Sequence, residues 1–399
     1  MASLSSLMKG GSLAGERYRV IVSTDIGGSD PDDFQSMVHY LLYSDLFDTE
    51  GLISSPWGAG RKNDILAVID AYAKDYSNLI KHSSTYPTPD YLRSITKQGA
   101  LEIAPYCGYH RATEGSDWII QCAKKDDPRP LYILVWGLLD DLAQALHDAP
   151  EIQDKLRVYY IAGPNKKWGV NSHAYIERNF PNLWMIENNS TYRGWFNGGN
   201  QTGDLGNQSF VQTHIKGHGA LGDFFCQFLE QTIKMGDTPS VAYLLRGDPE
   251  DPALPHWGGQ FAPVHARPNA IFHRNTTLKD QVEMFTIIEF VFRGPVIDVD
   301  EDTPIFTMLV KGQEFPGYYV GHGEYRIRFM PKSLGKWSYL IKSELPELDG
   351  QHGEFVSVPE SPHKYGRDPL SFPNWWSDCL EPELKEGIIA GAKTVNQWR

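Results

Sequence analysis

The first part of the chain alternates short apolar runs with stretches in which apolar residues recur at helical spacing. Residues 18–22 and 131–137 are continuous apolar runs of strand length, and residues 34–42 place apolar side chains on one helical face. Such alternation is typical of βαβ units. We therefore predict an α/β fold over residues 17–270, with a mostly parallel, Rossmann-like sheet and helices on both faces. Helical spacing also predicts a helix over residues 221–235.

The pattern changes at about residue 275. Residues 284–292, 324–330 and 337–341 alternate apolar and polar positions as strands do, and glycine-containing turn signals separate them. Short strands at such intervals are typical of a β-sandwich. Residues 275–358 are therefore predicted to form a second, all-β unit.

Four carboxylates lie within nine residues directly after the first apolar run, at Asp25, Asp30, Asp32 and Asp33. This acidic turn falls at the carboxyl end of the first predicted strand, where open parallel sheets bind their ligands. Asp32 and Asp33 could simply cap the following helix and face its dipole. Capping needs only one or two acids, however, and four acids repel one another unless a cation lies among them. An all-oxygen set suits Ca²⁺ or Mg²⁺.

The acidic turn resembles the aspartate cluster of the nucleoside hydrolases, Ca²⁺-dependent enzymes that cleave N-ribosidic bonds and share the pattern Asp-x-Asp-x-x-x-Asp-Asp. Asp25, Asp32 and Asp33 match the last three acids of that pattern, whereas Ser23 replaces the first and the loop is longer. The chain is therefore more similar to the nucleoside-hydrolase-like branch found in cellulose-associated proteins of carbohydrate-degrading bacteria. The resemblance implies Ca²⁺ as the cofactor, and a small carbohydrate, glycoside or nucleoside as the partner.

Two later positions match the calcium site of the resembled hydrolases. Trp136 stands where the family lends a backbone carbonyl to calcium, and Asp237 stands where a carboxylate closes the site. The resemblance thus implies Asp25, Asp33, Asp237 and the Trp136 carbonyl as metal ligands. The alternatives are an ordinary strand-Gly-helix turn at Trp136 and a helix N-cap at Asp237. Gly236 replaces the family His that protonates the leaving base. Three histidines stay open as the general acid: His214, His218 and His256.

Residues 187–189 end a predicted strand with Glu-Asn-Asn, which presents the acceptors and donors that vicinal hydroxyls require. The family has Glu-x-Asn here, which implies sugar contacts, while the alternative is simply polar residues that leave a strand. An upstream Asn also contributes in the family, and Gly-rich aromatic loops offer further contacts. The predicted substrate-binding residues are Asp32, Trp57, Asn182, Glu187, Asn188, Asn189, His256 and Trp257.

The resembled branch also indicates how the units are connected. Its Trp-Trp-x-Asp and Gly-Ala-Lys-Thr-Val stretches follow soon after a Trp-Gly-Gly loop, and here they stand at 375–378 and 391–395. We therefore expect the all-β unit to interrupt the α/β domain, whose return segment covers residues 365–399. The inserted unit is similar to the small Ig-like β-sandwich domain that precedes catalytic barrels in some bacterial glycoside hydrolases.

Composition narrows the range of partners. The net charge of −13 argues against non-specific binding to nucleic acid or to an anionic membrane, and no apolar run reaches spanning length. Residues 1–16 lack the apolar core of a signal peptide and are predicted to be a disordered lead. The four scattered cysteines are expected to be buried thiols. A cytoplasmic or exported location and a monomeric or homo-oligomeric state stay open.

These features together predict a Ca²⁺-dependent hydrolase of O- or N-glycosyl bonds. Water attacks the anomeric carbon of a furanose sugar with inversion, with Asp25 as the general base and Asp32 as a second catalytic residue that binds hydroxyls. The loss of the family His favours a leaving group other than a purine, such as a sugar hydroxyl. Two alternatives stay open: a plain nucleosidase, and a non-catalytic carbohydrate-binding protein on the same fold.

Overall fold

The computed structural model describes residues 17–28, 30–56, 61–189, 202–203, 207–263, 272–275, 288–331 and 335–357. Three sequence predictions lie outside these residues and stay predictions: the disordered lead at 1–16, the sugar contact at Trp57 and the return segment at 365–399. No helix in the described part of the chain is long and apolar enough to span a membrane.

The α/β domain is built on a single sheet. Its strands are β1 (Tyr18–Thr24), β2 (Phe47–Ser54), β3 (Thr96–Gln98), β4 (Leu131–Val135), β5 (Leu156–Ile161), β6 (Trp184–Asn188), β7 (Ala262–Pro263) and β8 (Phe272–Asn275). Their order is β3-β2-β1-β4-β5-β6-β8-β7. Neighbouring strands run parallel except for β7, which is antiparallel to β8. The predicted mostly parallel sheet is therefore confirmed.

Helices cover both faces of this sheet. They are α1 (Asp32–Leu42), α2 (Lys62–His82), α3 (Pro89–Ser94), α4 (Glu114–Ala123), α5 (Asp140–Asp148), α6 (Gly163–Trp168), α7 (Val170–Asn179), α8 (Asn207–Phe210), α9 (Gly219–Phe225) and α10 (Thr238–Leu245). Strands covered on both sides are largely apolar, which explains the long apolar runs. Arg19 in β1 is an exception that is buried and paired with Glu50. In β1, Val20 and Val22 face one hydrophobic core and Ile21 faces the other.

The helix predicted over residues 221–235 is shorter in the structure. It is α9, which ends at Phe225. Phe228 is extended, and a 3₁₀ turn follows in which Leu229 and Gln231 have φ of 53° and 62°. These left-handed conformations are incompatible with a continuous right-handed helix, so residues 226–237 cross the surface as an irregular segment.

The second unit is an antiparallel sheet with the strands β9 (Ile288–Arg293), β10 (Pro304–Val310), β11 (Gln313–Tyr319), β12 (Glu324–Phe329), β13 (Gly335–Ser343) and β14 (His352–Ser357), in the order β14-β13-β10-β11-β12-β9. Phe290 and Phe355 lie on opposite edge strands, yet their ring centroids are 5.2 Å apart. The sheet is therefore curled around an aromatic core. The all-β prediction is confirmed, but the described residues form one curled sheet rather than the two sheets of an Ig-like sandwich.

The curled sheet packs against the loop before α4 and against α7. Arg328 lies over the Tyr106 ring, 3.7 Å from its centroid, and donates to the Tyr106 carbonyl at 2.6 Å. Tyr106 in turn donates from its hydroxyl to Glu289 at 2.6 Å. His110 Nε2 lies 2.5 Å from a carboxylate oxygen of Asp302. The contact between the two units is thus polar and charged.

Candidate functional site

The acidic turn is held by its own hydrogen bonds. The Thr24 hydroxyl donates to Asp33 and accepts from the Ile26 amide at 3.1 Å. The Gly28 amide donates to the Asp25 carbonyl at 2.9 Å, and Gly27 has φ of 82°, which favours glycine. These contacts let the chain turn from β1 into α1 with the acids on the inner side.

Asp237 reaches the acidic turn from a distant part of the sequence. It directly precedes α10, and its backbone amide lies 3.3 Å from the Ser36 hydroxyl on α1. Carboxylate oxygens of Asp32, Asp33 and Asp237 all lie within 4.8 Å of one another. Two segments about 200 residues apart thus bring their carboxylates to one place.

Asp25 and Trp136 lie beside the point where the carboxylates of Asp32, Asp33 and Asp237 meet. The Trp136 amide donates to the Ser23 carbonyl at 2.7 Å, and a Cβ on Gly137 would lie 2.7 Å from the Asp25 Cβ. The Trp136 carbonyl accepts from Asn165 at 2.7 Å and keeps a second lone pair. The Trp136 indole donates to Ser240 at 2.7 Å, which ties the turn after β4 to the beginning of α10.

The electrostatics of the four acids Asp25, Asp32, Asp33 and Asp237 indicate too little counter-charge: the Lys234 ammonium lowers the pKa of Asp32, but burial and the neighbouring acids outweigh it. Burial, reinforced by the charge of Asp32, raises the pKa of Asp25 to about 7. Burial and the neighbouring acids also hold the pKa of Asp33 and of Asp237 well above the ordinary range. Asp237 is only 4% exposed, and its Oδ2 has no hydrogen-bond partner within the described residues. A buried, unpartnered carboxylate oxygen among repelling acids fits a hard divalent cation such as Ca²⁺.

Gly236 has a role that sequence comparison did not reveal. A Cβ at this position would collide with Oδ2 of Asp32. The missing side chain therefore gives the Asp32 carboxylate the room that it occupies.

The predicted sugar-binding strand end carries a buried polar network. Glu187 is 1% exposed and accepts from Lys166 at 3.3 Å, from Asn189 at 3.0 Å and from His173 at 3.0 Å. Burial, together with Lys166, lowers the pKa of His173, which favours a neutral imidazole that donates from Nε2. Asn188 donates to Tyr159 at 2.9 Å. Sequence reasoning missed Lys166 and His173, because nothing in their spacing indicates a shared carboxylate.

Three further predicted sugar contacts have different surroundings. Asn182 is exposed and precedes β6, whereas Glu187 and Asn188 lie at the other end of that strand. His256 places Nδ1 at 2.7 Å from the Leu254 carbonyl and Nε2 at 2.7 Å from the Asp248 carbonyl. Trp257 is 55% exposed beside it.

The loop that carries His256 and Trp257 is anchored at two places. Glu250 accepts from Tyr132 at 2.6 Å and from Arg157 at 3.0 Å, near the beginnings of β4 and β5. The Tyr159 hydroxyl, which accepts from Asn188, donates to the Gly258 carbonyl at 2.6 Å. His214 and His218 line a cavity of about 490 Å³ between α1, α2 and α9, whose lining includes none of Asp25, Asp32, Asp33 and Asp237. The general-acid role of the three histidines and the sugar contacts of Asn182, His256 and Trp257 stay predictions.

A mostly parallel α/β sheet with an acidic turn after β1 and a further acid before α10 defines a nucleoside-hydrolase-like domain with a candidate divalent-cation centre. Residues 19–261 match the family model described as cellulose-binding Sde182, nucleoside hydrolase-like domain, and the chain belongs to this family. Residues 281–344 match a second model, a domain of unknown function designated DUF5060. No curated protein matches the chain.

Three solved structures are similar to the chain, of which the first supports the fold. A nucleoside hydrolase-related hypothetical protein from Saccharophagus degradans, associated with carbohydrate metabolism, is 21% identical, with a TM-score of 0.55, and the match covers 86% of this chain and 99% of that chain. The inosine-uridine preferring nucleoside hydrolase from Bacillus anthracis is 15% identical, with a TM-score of 0.39 over 64% of this chain and 93% of that chain. A putative glycoside hydrolase from Bacteroides vulgatus is 29% identical, with a TM-score of 0.16, over 20% of this chain and 16% of that chain.

Proposed function

We propose that this protein is a Ca²⁺-dependent hydrolase of glycosyl bonds that acts on a furanosyl glycoside or an N-riboside with inversion. The observation that carries the proposal is the meeting of the acids of the turn with Asp237, whose buried Oδ2 has no described partner. Non-catalytic sugar binding alone needs no such group of charged, desolvated acids, whereas a cation centre does.

The residues that would hold the cation are Asp25, Asp33 and Asp237 through their carboxylates, with the Trp136 carbonyl as a fourth oxygen. When bound, a divalent cation of this kind acidifies water and orients hydroxyl groups. The donors are all oxygen, as Ca²⁺ prefers.

The chain's own acids divide the remaining tasks. Asp25 accepts the proton of the attacking water. Asp32, in the space that Gly236 leaves, accepts from sugar hydroxyls. Glu187 and Asn189 bind the far side of the sugar. Because water attacks directly, without a covalent intermediate, the anomeric configuration inverts.

The leaving group is a sugar hydroxyl rather than a purine. Glycine at 236 cannot protonate a base, and the cavity that His214 and His218 line includes none of Asp25, Asp32, Asp33 and Asp237. In this proposal solvent water supplies the proton that the departing sugar oxygen needs as the glycosidic bond breaks. The family description, which includes cellulose binding, agrees with a carbohydrate partner.

A non-catalytic carbohydrate-binding protein is the second candidate function. The observation that favours it is the Glu187 network, in which both carboxylate oxygens already accept hydrogen bonds from the protein. An acid that is engaged in this way has less capacity to strengthen its bonds in a transition state.

The two candidates are separated by one experiment. The protein is incubated with inosine, uridine, furanosyl oligosaccharides and cello-oligosaccharides, in Ca²⁺ and in excess chelator, and the anomer released is followed by NMR. We expect Ca²⁺-dependent release of the inverted sugar from a furanosyl substrate. Turnover that is insensitive to chelator, or retention of configuration, contradicts the proposal. Saturable oligosaccharide binding without any turnover supports the binding protein instead.

A further inference from the structure

The candidate cation centre depends on two parts of the chain that must be held together. Asp32 and Asp33 stand on the first turn of α1, whereas Asp237 ends the irregular segment 226–237. That segment contains only a three-residue 3₁₀ turn, and two of its residues have left-handed φ. Its own backbone therefore does little to fix the position of Asp237. Side chains that bond to the segment must do so, namely Asn207, which pairs with the amide and carbonyl of Ile233, and residues of α1.

Gln35 makes those contacts. It lies on α1, its side chain is 0% exposed, and it faces the irregular segment. Its Nε2 donates to the Thr232 carbonyl at 2.8 Å and lies 3.4 Å from the Phe225 carbonyl, while its Oε1 accepts from the Lys234 amide at 2.8 Å. One side-chain amide thus pairs with backbone groups on both sides of residue 233, as a neighbouring strand would.

Two weaker links join the same two parts. The Lys234 ammonium contacts Asp30 of the acidic turn, but this pair is exposed to 28% and 49% at its two side chains. Exposed ion pairs of this kind are screened and contribute little. The Asp237 amide lies 3.3 Å from the Ser36 hydroxyl of α1, a single long hydrogen bond. Gln35 is buried and uses both ends of its amide, so it is the strongest of the three.

We propose that Gln35 is a positioning residue of the candidate cation centre. By holding residues 232–234 against α1, it keeps the Asp237 carboxylate within reach of Asp32 and Asp33. This inference rests on the proposed function only in so far as a divalent cation binds; it does not require turnover.

The test uses Gln35→Met in the full-length protein, since methionine keeps the volume and removes every hydrogen bond. Ca²⁺ affinity is measured by calorimetry, and the lifetime of bound Tb³⁺ luminescence in H₂O and D₂O counts coordinated waters. We expect Ca²⁺ affinity to fall about 10- to 100-fold, as for other residues that support metal ligands. We also expect one additional water on Tb³⁺, because Asp237 no longer reaches the ion.

Gln144→Met is the matched control. Gln144 is also a buried helical glutamine whose Oε1 accepts from a backbone amide, that of His110, at 2.8 Å, but it lies at the contact with the curled sheet. We expect a comparable loss of thermal stability with unchanged Ca²⁺ affinity and water count. If Gln35→Met behaves in the same way, Gln35 is merely structural and the inference is overturned.

A double variant shows whether Gln35 acts through Asp237. In an Asp237→Asn background, Gln35→Met is expected to cost less than 2-fold further in Ca²⁺ affinity, because the supported ligand is already impaired. Losses that simply multiply overturn the inference. Should Gln35→Met not fold, Gln35→Asn replaces it: its shorter amide cannot reach both backbone groups, and wild-type affinity in that variant also overturns the inference. Absence of Ca²⁺ and Tb³⁺ binding to the wild type would refute the cation centre itself, and this inference with it.

Discussion

Two buried acidic sites lie near the same edge of the sheet: Glu187 with its partners, and the group that contains Asp33 and Asp237. The charges that surround these two sites differ. Glu187 has the buried ammonium of Lys166 at 3.3 Å and the neutral donors His173 and Asn189. Asp33 and Asp237 are equally buried, but they face further acids, and Oδ2 of Asp237 lacks a partner within the described residues. The comparison teaches that burial of an acid does not by itself mark a metal centre; an excess of buried acids over basic partners such as Lys234 does.

The largest expected effect is on catalysis by the group of Asp25, Asp32, Asp33 and Asp237. Asp25→Asn removes the proposed proton acceptor, and we expect turnover to fall about 10²- to 10⁴-fold. Steady-state kinetics on the furanosyl substrate measure this, while calorimetry shows that sugar affinity remains. Asp30→Asn, at the exposed rim, is the control and should retain most activity. Comparable turnover in Asp25→Asn and the wild type would remove Asp25 from the mechanism.

Variants of Glu187 and its partners should change the free energy of unfolding rather than the affinity for the cation. Lys166→Met removes the buried ammonium that lies 3.3 Å from Glu187, and the loss of this partner is expected to cost about 3–5 kcal/mol of unfolding free energy. Urea denaturation measures this cost. Adding Ca²⁺ should not restore the loss, whereas Glu187→Gln in the same chain should restore part of it. A Lys166→Met protein as stable as the wild type would show that the pair is not a closed, internally balanced unit.

The pH dependence of stability should also distinguish the group of Asp25, Asp32, Asp33 and Asp237 from Glu187. The pKa of Asp25 rises from 3.8 to about 7 on folding without a cation. Folding therefore favours its protonated form, and this contribution to stability is lost as the pH rises through about 7. Ca²⁺ should compensate for the lost protons, so the increase in Tm on adding Ca²⁺ should be several degrees larger at pH 8 than at pH 5, at about 2–4 °C per kcal/mol. An increase independent of pH would contradict this expectation.

The smallest effect is expected at an exposed side chain on a surface loop. Trp257→Ala alters a side chain that is 55% exposed, on the loop in which Glu250 accepts from Tyr132. We expect unfolding free energy within about 0.5 kcal/mol of the wild type, with unchanged Ca²⁺ and sugar affinity. A large loss of sugar affinity would instead support the sequence prediction that Trp257 contacts the substrate.

The sequence predicted the fold and the acids of the candidate centre, because both depend on local patterns. The alternation of strands and helices around β1 and β4 follows from burial on both faces of the sheet, and the acidic turn and Asp237 stand in a recognisable motif. The partners Lys166, His173 and Gln35 could not be predicted, since each meets its carboxylate or backbone group only through tertiary packing.

Loop placement was the other property that the sequence did not reveal. His256 and Trp257 share a Gly-rich aromatic loop, but nothing local indicates which edge of the sheet such a loop will reach. Likewise, helical spacing over 221–235 continued past Phe225, where the left-handed φ of Leu229 and Gln231 ends the helix in the structure. Side-chain periodicity indicates which face of a helix is apolar, but it does not indicate where the backbone changes direction.

The close approach of Asp32 to Gly236 has a consequence for anyone wishing to convert this protein into a purine nucleosidase. Reinstating the imidazole of the resembled enzymes by a single exchange at 236 would push the Asp32 carboxylate out of its place. A histidine at 236 would require the acidic turn after β1 to be remodelled at the same time, for instance by shortening that turn around Asp30. An imidazole at 236 and the Asp32 carboxylate in its present position would therefore occupy the same small volume.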